Sequence, residues 1–130
     1  MYRVSPHRRL GNGVLIAYLR VNALIATLAT MLMLWARDQG ITVESVSLDD
    51  YYLEPAERFN RAQLWHPLFA ERGVPGTHDT ALLLSQLQAF RRGEAQCWRR
   101  YDKCLDCIAR PSEKTKARLL ILEGWCVGLQ

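Results

Sequence analysis

Long blocks of Lys and Arg are absent from this chain, as are an evenly spaced cysteine framework, internal repeats and low-complexity stretches. The first absence bears on partners. The formal net charge is +4, yet acidic residues are interleaved throughout, so the composition gives no reason to invoke nucleic acid. A basic pocket for a phosphorylated or carboxylated small molecule accounts for the same balance, and so does ordinary surface composition. Of the four cysteines, Cys97, Cys104 and Cys107 crowd into eleven positions and Cys126 stands apart. That spacing is no disulfide framework and fits a reducing, cytoplasmic setting. Cys104 and Cys107 form a C-x-x-C pair, half of a zinc site, but no second pair or His pair at ligand spacing completes four ligands. The bland reading of these thiols is small, partly buried side chains.

What is present has the proportions of one globular domain: 130 residues, 49% hydrophobic and 23% charged, read as a single domain over 1–130. The apolar stretch 14–35, VLIAYLRVNALIATLATMLMLW, has two readings. It is long enough to span a bilayer, and His7, Arg8 and Arg9 would flank it on the cytoplasmic side. Against a span, Arg20 and Asn22 sit near its middle, where polar groups are costly. The alternative is a buried strand over 14–19 followed by a buried helix over 23–38, rich in Ala, Leu and Met and stopped by Gly40.

The alternating β-branched run ITVESVS at 41–47 reads as a second strand that ends at Asp49 and Asp50. Pro55 starts a short helix through Arg61, and the Pro- and Gly-rich stretch 67–76 is a loop. Asp79 caps a helix over 80–92 whose apolar residues cover one broad face. The segment 94–116 is polar, basic and without a clean period, and is read as irregular. LLIL at 119–122 forms a third strand, ending at Glu123. Strands alternating with helices predict an α/β fold, a parallel sheet flanked by helices. In such sheets ligands collect at the carboxyl ends of strands. Asp49, Asp50 and Glu123 are therefore expected on one rim, a pattern that suits Mg²⁺ binding or removal of a hydroxyl proton during phosphoryl transfer.

Several ordered motifs carry a family resemblance. SLDDYYL at 47–53, HPLFAERGVPGTHDTALLL at 66–84, YDK at 101–103 and LLILEGWCVG at 119–128 resemble the corresponding motifs of glycerate kinases and their uridine-kinase-like relatives. The resemblance implies a partial P-loop NTPase-like fold, ATP with Mg²⁺ as donor, and a small-molecule hydroxyl acceptor such as glycerate. It further implies Asp49 as the base or hydroxyl-orienting group, Asp50 as its assistant or a metal ligand, and Glu123 as the acid that holds Mg²⁺ through water. His78, Asp79, Tyr101, Asp102 and Lys103 would lie near the acceptor pocket. From the residues alone, His78 and Asp79 also read as a loop residue and a helix cap, Tyr51, Tyr52 and Trp125 as packing, Lys103 as a solvated charge, and Arg72 as a bridge to a nearby acid.

The sequence departs from that family in its donor loop. A P-loop needs G-x-x-x-x-G-K-[ST] between the first strand and first helix. Aligning TLATML at 27–32 with the family helix puts Leu19 and Leu24 at the glycines, Ile25 at the lysine and Ala26 at the first hydroxyl, leaving Thr27 as the surviving nucleotide-binding candidate. The GNG at 11–13 precedes the first strand and cannot serve as the cradle. Such a loop argues against tight Mg-ATP binding. Family members also continue well beyond the last strand motif, so the expectation is an incomplete domain with an exposed sheet edge open to self-association. Two other readings stand beside the kinase: a non-catalytic interaction remnant of the fold, and a protein anchored through 14–35.

Overall fold

The structure is a computed structural model that describes residues 15–19 and 23–127. The basic cluster at 7–9, the GNG at 11–13, Arg20 and Asn22 lie outside the described residues. The ambiguous apolar stretch resolves into strand β1 (Leu15–Leu19) and helix α1 (Ala23–Asp38). At 16 residues α1 is shorter than a membrane span requires. Among the described residues no helix is long and apolar enough to cross a membrane, which corrects the anchored alternative for 14–35.

Strands β2 (Val43–Ser47) and β5 (Leu119–Glu123) complete a three-stranded parallel sheet in the order β1-β5-β2. The central strand β5 is the last in the chain. Its side chains alternate between two cores, as the period of an extended strand demands. Leu119 and Ile121 pack with Ala36 of α1, while Leu120 and Leu122 face Val46, Leu87, Phe90 and Trp98. All four are essentially buried, each contributing roughly 1.5–3 kcal/mol of hydrophobic stabilisation.

On the first face, α1 presents Ala29, Leu32, Met33 and Ala36 to the sheet, an i, i+3, i+4, i+7 stripe. The expected wholly buried helix is not what forms. Leu28, Met31, Leu34 and Trp35 are each more than half exposed, because nothing among the described residues covers the outer side of α1. The second face carries α3 (Thr80–Arg91), which buries Leu83, Leu87, Ala89 and Phe90.

After β2 the chain turns through one round of 3-10 helix at Leu48–Tyr51, then enters α2 (Pro55–Leu64) with Pro at its start. A second 3-10 turn follows at Pro67–Ala70. The glycine-rich loop then returns to pair backbone with the first turn. Leu53 N–H donates to Thr77 O at 2.9 Å, and Asp79 N–H to Tyr51 O at 2.6 Å. Gly76 is required here: its φ is +99°, and a Cβ would lie 2.5 Å from the Phe69 ring.

The segment expected to be irregular contains an antiparallel hairpin, β3 (Arg100–Asp102) and β4 (Cys107–Ala109). Strands of three residues are too short to display a hydrophobic period. The turn between them is held by Asp102, whose Oδ1 accepts from the N–H groups of Cys104 and Leu105, and by Asp106, which adopts a positive φ of 52°.

Candidate functional site

Ser47 and Glu123 are register partners at the ends of β2 and β5. The sheet therefore places the acids that follow β2 and the acid that ends β5 on one carboxyl rim. Ser47 caps the 3-10 turn by accepting from Asp49 N–H at 3.3 Å. That turn separates the two neighbouring aspartates.

Asp50 is taken up by the scaffold. Its Oδ2 accepts from Arg100 Nη1 at 3.0 Å and its Oδ1 from the Tyr101 N–H at 3.2 Å. Arg100 reaches on to Glu44 at 3.3 Å, which fastens the β3–β4 hairpin to β2. Asp49 instead meets side chains at the hairpin tip and in the turn. Lys103 Nζ donates to Oδ2 at 2.7 Å and Tyr52 Oη to Oδ1 at 3.1 Å.

Around Asp49 the walls are aromatic. Tyr52 stacks on His78 at 4.5 Å between centroids and meets Tyr101 edge-on at 5.7 Å. Burial, then the charge of Asp49 and the hydrogen bond to it, push the Tyr52 hydroxyl up to about 12. Burial and the hydrogen bond to Asp106 likewise push Tyr101 up to about 12. Both hydroxyls thus remain donors to their carboxylates. Burial holds His78 below its ordinary range, although Asp49 pulls the other way. The imidazole is only 4% exposed, and its Nε2 has no hydrogen-bond partner among the described residues. Burial, with a contribution from Asp49, also raises the Cys126 thiol.

Asp79 has a different task. It caps α3 by accepting from Leu82 N–H at 3.0 Å and pairs with the buried Arg99 at 3.0 Å, and Arg99 also donates to the Tyr52 carbonyl. It therefore supports the Tyr52 backbone rather than facing Asp49. Glu123 closes β5 half-buried, and its carboxylate has no hydrogen bond or ion pair among the described residues. No group of three or more His, Cys, Asp or Glu side chains that could hold a metal ion occurs among those residues. Thr27 lies exposed in α1.

Asp106, Arg58 and Arg72 escaped the sequence reading as a functional unit. Asp106 accepts from the Tyr101 hydroxyl at 2.8 Å and pairs with Arg58 at 2.6 Å and Arg72 at 3.1 Å. Burial disfavours its charge, but the hydrogen bonds from Tyr101 and Arg58 outweigh it and hold the carboxyl below the usual carboxylate range. Arg58 is buried and also donates to the carbonyls of Leu53 and Ala70. This cluster fixes the hairpin tip beside Asp49. The bridge read for Arg72 is real, and only the partner, 34 positions away in SEQ numbering, was invisible in the sequence.

The positions aligned with the donor loop do not carry its residues. β1 ends at Leu19 and α1 begins at Ala23. Leu19 at the strand end and Leu24 in the first turn of the helix stand where the motif has its two glycines, and Ile25 stands where the lysine charge is needed.

A parallel sheet with the acid-tipped strand between the first and second strands, helices on both faces and acids on its carboxyl rim is the fold of the P-loop small-molecule kinases. No family model matches the chain. Among curated proteins, the uncharacterized kinase mug58 of Schizosaccharomyces pombe is 31% identical over 118 residues, an alignment covering 81% of this chain and 43% of the relative. Among solved structures, D-glycerate 3-kinase from Cryptococcus neoformans var. grubii superposes with a TM-score of 0.62 at 27% identity, covering 87% of this chain and 42% of that one. The YGR205w protein has the same fold, with a TM-score of 0.69 at 21% identity, covering 88% of this chain and 45% of that one. The chain spans less than half the length of each of these three. The resemblance to the glycerate-kinase type read from the motifs is borne out.

Proposed function

We propose that this chain is the acceptor-binding part of a small-molecule kinase fold, taking a hydroxylated molecule such as glycerate with its hydroxyl on Asp49. In the family that fold transfers the γ-phosphoryl group of ATP to such a hydroxyl, with Mg²⁺ neutralising the phosphates. The observation that carries the reading is the division of labour between adjacent aspartates. Asp50 is locked to Arg100 and a backbone N–H, whereas Asp49 is held by Lys103, a side chain that is 55% exposed.

An exposed ion pair of this kind is worth only ~0–1 kcal/mol. An incoming hydroxyl therefore displaces Lys103 at little cost, while Tyr52 keeps Oδ1 oriented. Asp49 then accepts a hydrogen bond from that hydroxyl, the position from which a general base takes the proton as the oxygen attacks a phosphoryl group, and Tyr101 and His78 help shape the pocket around Tyr52. Glu123 stands on the same rim, where it would hold Mg²⁺ through water. Because the positions aligned with the P-loop carry Leu19, Leu24 and Ile25 in place of its glycines and lysine, the chemistry assigned to this chain stops at holding and orienting the acceptor.

Titrating D-glycerate and Mg-ATP separately into the folded chain tests this. Glycerate binds and Asp49→Asn abolishes that binding, while Mg-ATP gives no heat at millimolar concentration. Glycerate binding that is indifferent to Asp49→Asn sinks the assignment, and micromolar Mg-ATP binding sinks the account of the donor side.

A second reading, assembly with another copy, is favoured by one observation. α1 carries a second apolar stripe, Leu28, Met31 and Trp35 with Leu34 beside it, all exposed. It follows directly on β1, which pairs on one side only among the described residues. All four cysteines are free, which is in keeping with a cytoplasmic setting.

A further inference from the structure

Arg72 is the arginine of the site whose fork is half used. Its Nη1 donates to the Lys103 carbonyl at 2.9 Å and pairs with Asp106 at 3.1 Å. Those two bonds fix the plane of the guanidinium. Its Nε and Nη2 have no partner among the described residues, and the side chain is 30% exposed. Arg58, its neighbour on Asp106, is the contrast: all three of its nitrogens are bonded and it is 3% exposed.

Position matters as much as valence. The Arg72 guanidinium carbon stands 5.9 Å from the ring centroids of both Tyr52 and Tyr101. The hydroxyl of that same Tyr52 holds Asp49. Arg72 and Asp49 therefore flank one aromatic ring, one at its face and one at its hydroxyl, a span that a molecule of a few carbons bridges.

We infer that Arg72 selects the acceptor: its free guanidinium edge binds the carboxylate of a small hydroxy acid whose hydroxyl rests on Asp49. This rests on the acceptor reading of Asp49 given above. A planar fork with two free N–H groups matches a carboxylate in the bidentate manner that an ammonium cannot. Lys103 adds to the same preference. When the acceptor hydroxyl takes its place on Asp49, the Lys103 ammonium is released beside Arg72, which already holds the Lys103 carbonyl. An anionic acceptor then finds two cations, whereas a neutral polyol leaves both unsatisfied.

The test is binding without nucleotide, followed by calorimetry or ligand-observed NMR, using D-glycerate and glycerol as the probes. The wild-type chain binds glycerate at least tenfold more tightly than glycerol. Arg72→Gln removes most of that ratio while the far-UV circular dichroism stays that of the wild type. Arg72→Lys restores only part of it, because charge returns without the fork. Equal affinities for the two ligands in the wild type overturn the inference without touching Asp49. So does an unchanged ratio in Arg72→Gln, or full recovery in Arg72→Lys. Loss of both ligands in Asp49→Asn with the Arg72 variants behaving as stated supports both assignments. Failure of glycerate to bind the wild type overturns both.

Discussion

At the tip of β2, two adjacent carboxylates have opposite commitments. Asp50 satisfies Arg100 and a backbone N–H and ties the hairpin to the sheet. Replacing it with Asn leaves Glu44 as the one carboxylate paired with Arg100 among the described residues. Asp50→Asn is expected to lower stability by about 1–3 kcal/mol in urea unfolding, with glycerate affinity altered far less than by Asp49→Asn. The reverse pattern would exchange their roles. His78 makes a prediction of a different sign. Its folded pKa lies below the ordinary 6.5 because burial penalises the imidazolium. Between those two values the unfolded chain binds the proton and the folded chain does not, so this group's contribution to stability is lost as pH falls below about 6.5. Urea midpoints measured from pH 7 to pH 5 should fall, and the slope should flatten in His78→Gln. An equally steep slope in the variant would assign the titration to another group.

At the scale of elements, α3 shows how a cap can also build a site. Asp79 satisfies the Leu82 N–H with one oxygen and the buried Arg99 with the other. Arg99 in turn holds the Tyr52 carbonyl, so the start of α3 is linked to the aromatic wall beside Asp49. Asn is as good a cap as Asp, but it cannot neutralise Arg99. Asp79→Asn therefore isolates the ion pair, whereas Asp79→Ala removes the pair and the cap together. Breaking a buried pair typically costs about 3–5 kcal/mol, and the cap about 1 kcal/mol more. Thermal or urea unfolding of the two variants should rank Ala below Asn below wild type. If Asn matches wild type, the Arg99 pair contributes little.

At the scale of the whole molecule, the sheet and α1 leave the chain with unsatisfied surface. A helix that is apolar on nearly all sides is normally buried on more than one of them. The inner stripe of α1 meets β5, and the outer stripe meets nothing among the described residues. Self-association through this face predicts a sedimenting species heavier than the 14.9 kDa monomer. Replacing Leu28, Met31 and Trp35 together by Gln should return it to monomer with its circular dichroism intact. A wild-type chain that sediments as a monomer at tens of micromolar would remove the assembly reading.

Much of this architecture was legible before any coordinates. The span of α1, the cap at Asp79 and the strands ending at acids follow from local rules: a 3.6-residue apolar period, a carboxylate before a helix, and short apolar runs bounded by turns. The motifs at 47–53 and 119–128 carried the family because they are long and ordered. What those rules could not reach depends on residues far apart in sequence. The β3–β4 hairpin is too short to show a period and is held by Asp50 and Asp106 through partners some fifty positions away, in Arg100 and Arg58. The different partners of Asp49 and Asp50, like the free edge of Arg72, came into view only when the folded hairpin brought Lys103, Arg100 and Asp106 to the rim. Local sequence sets which backbone shapes are favourable, whereas the pairing of charges across a site is a property of the packed chain.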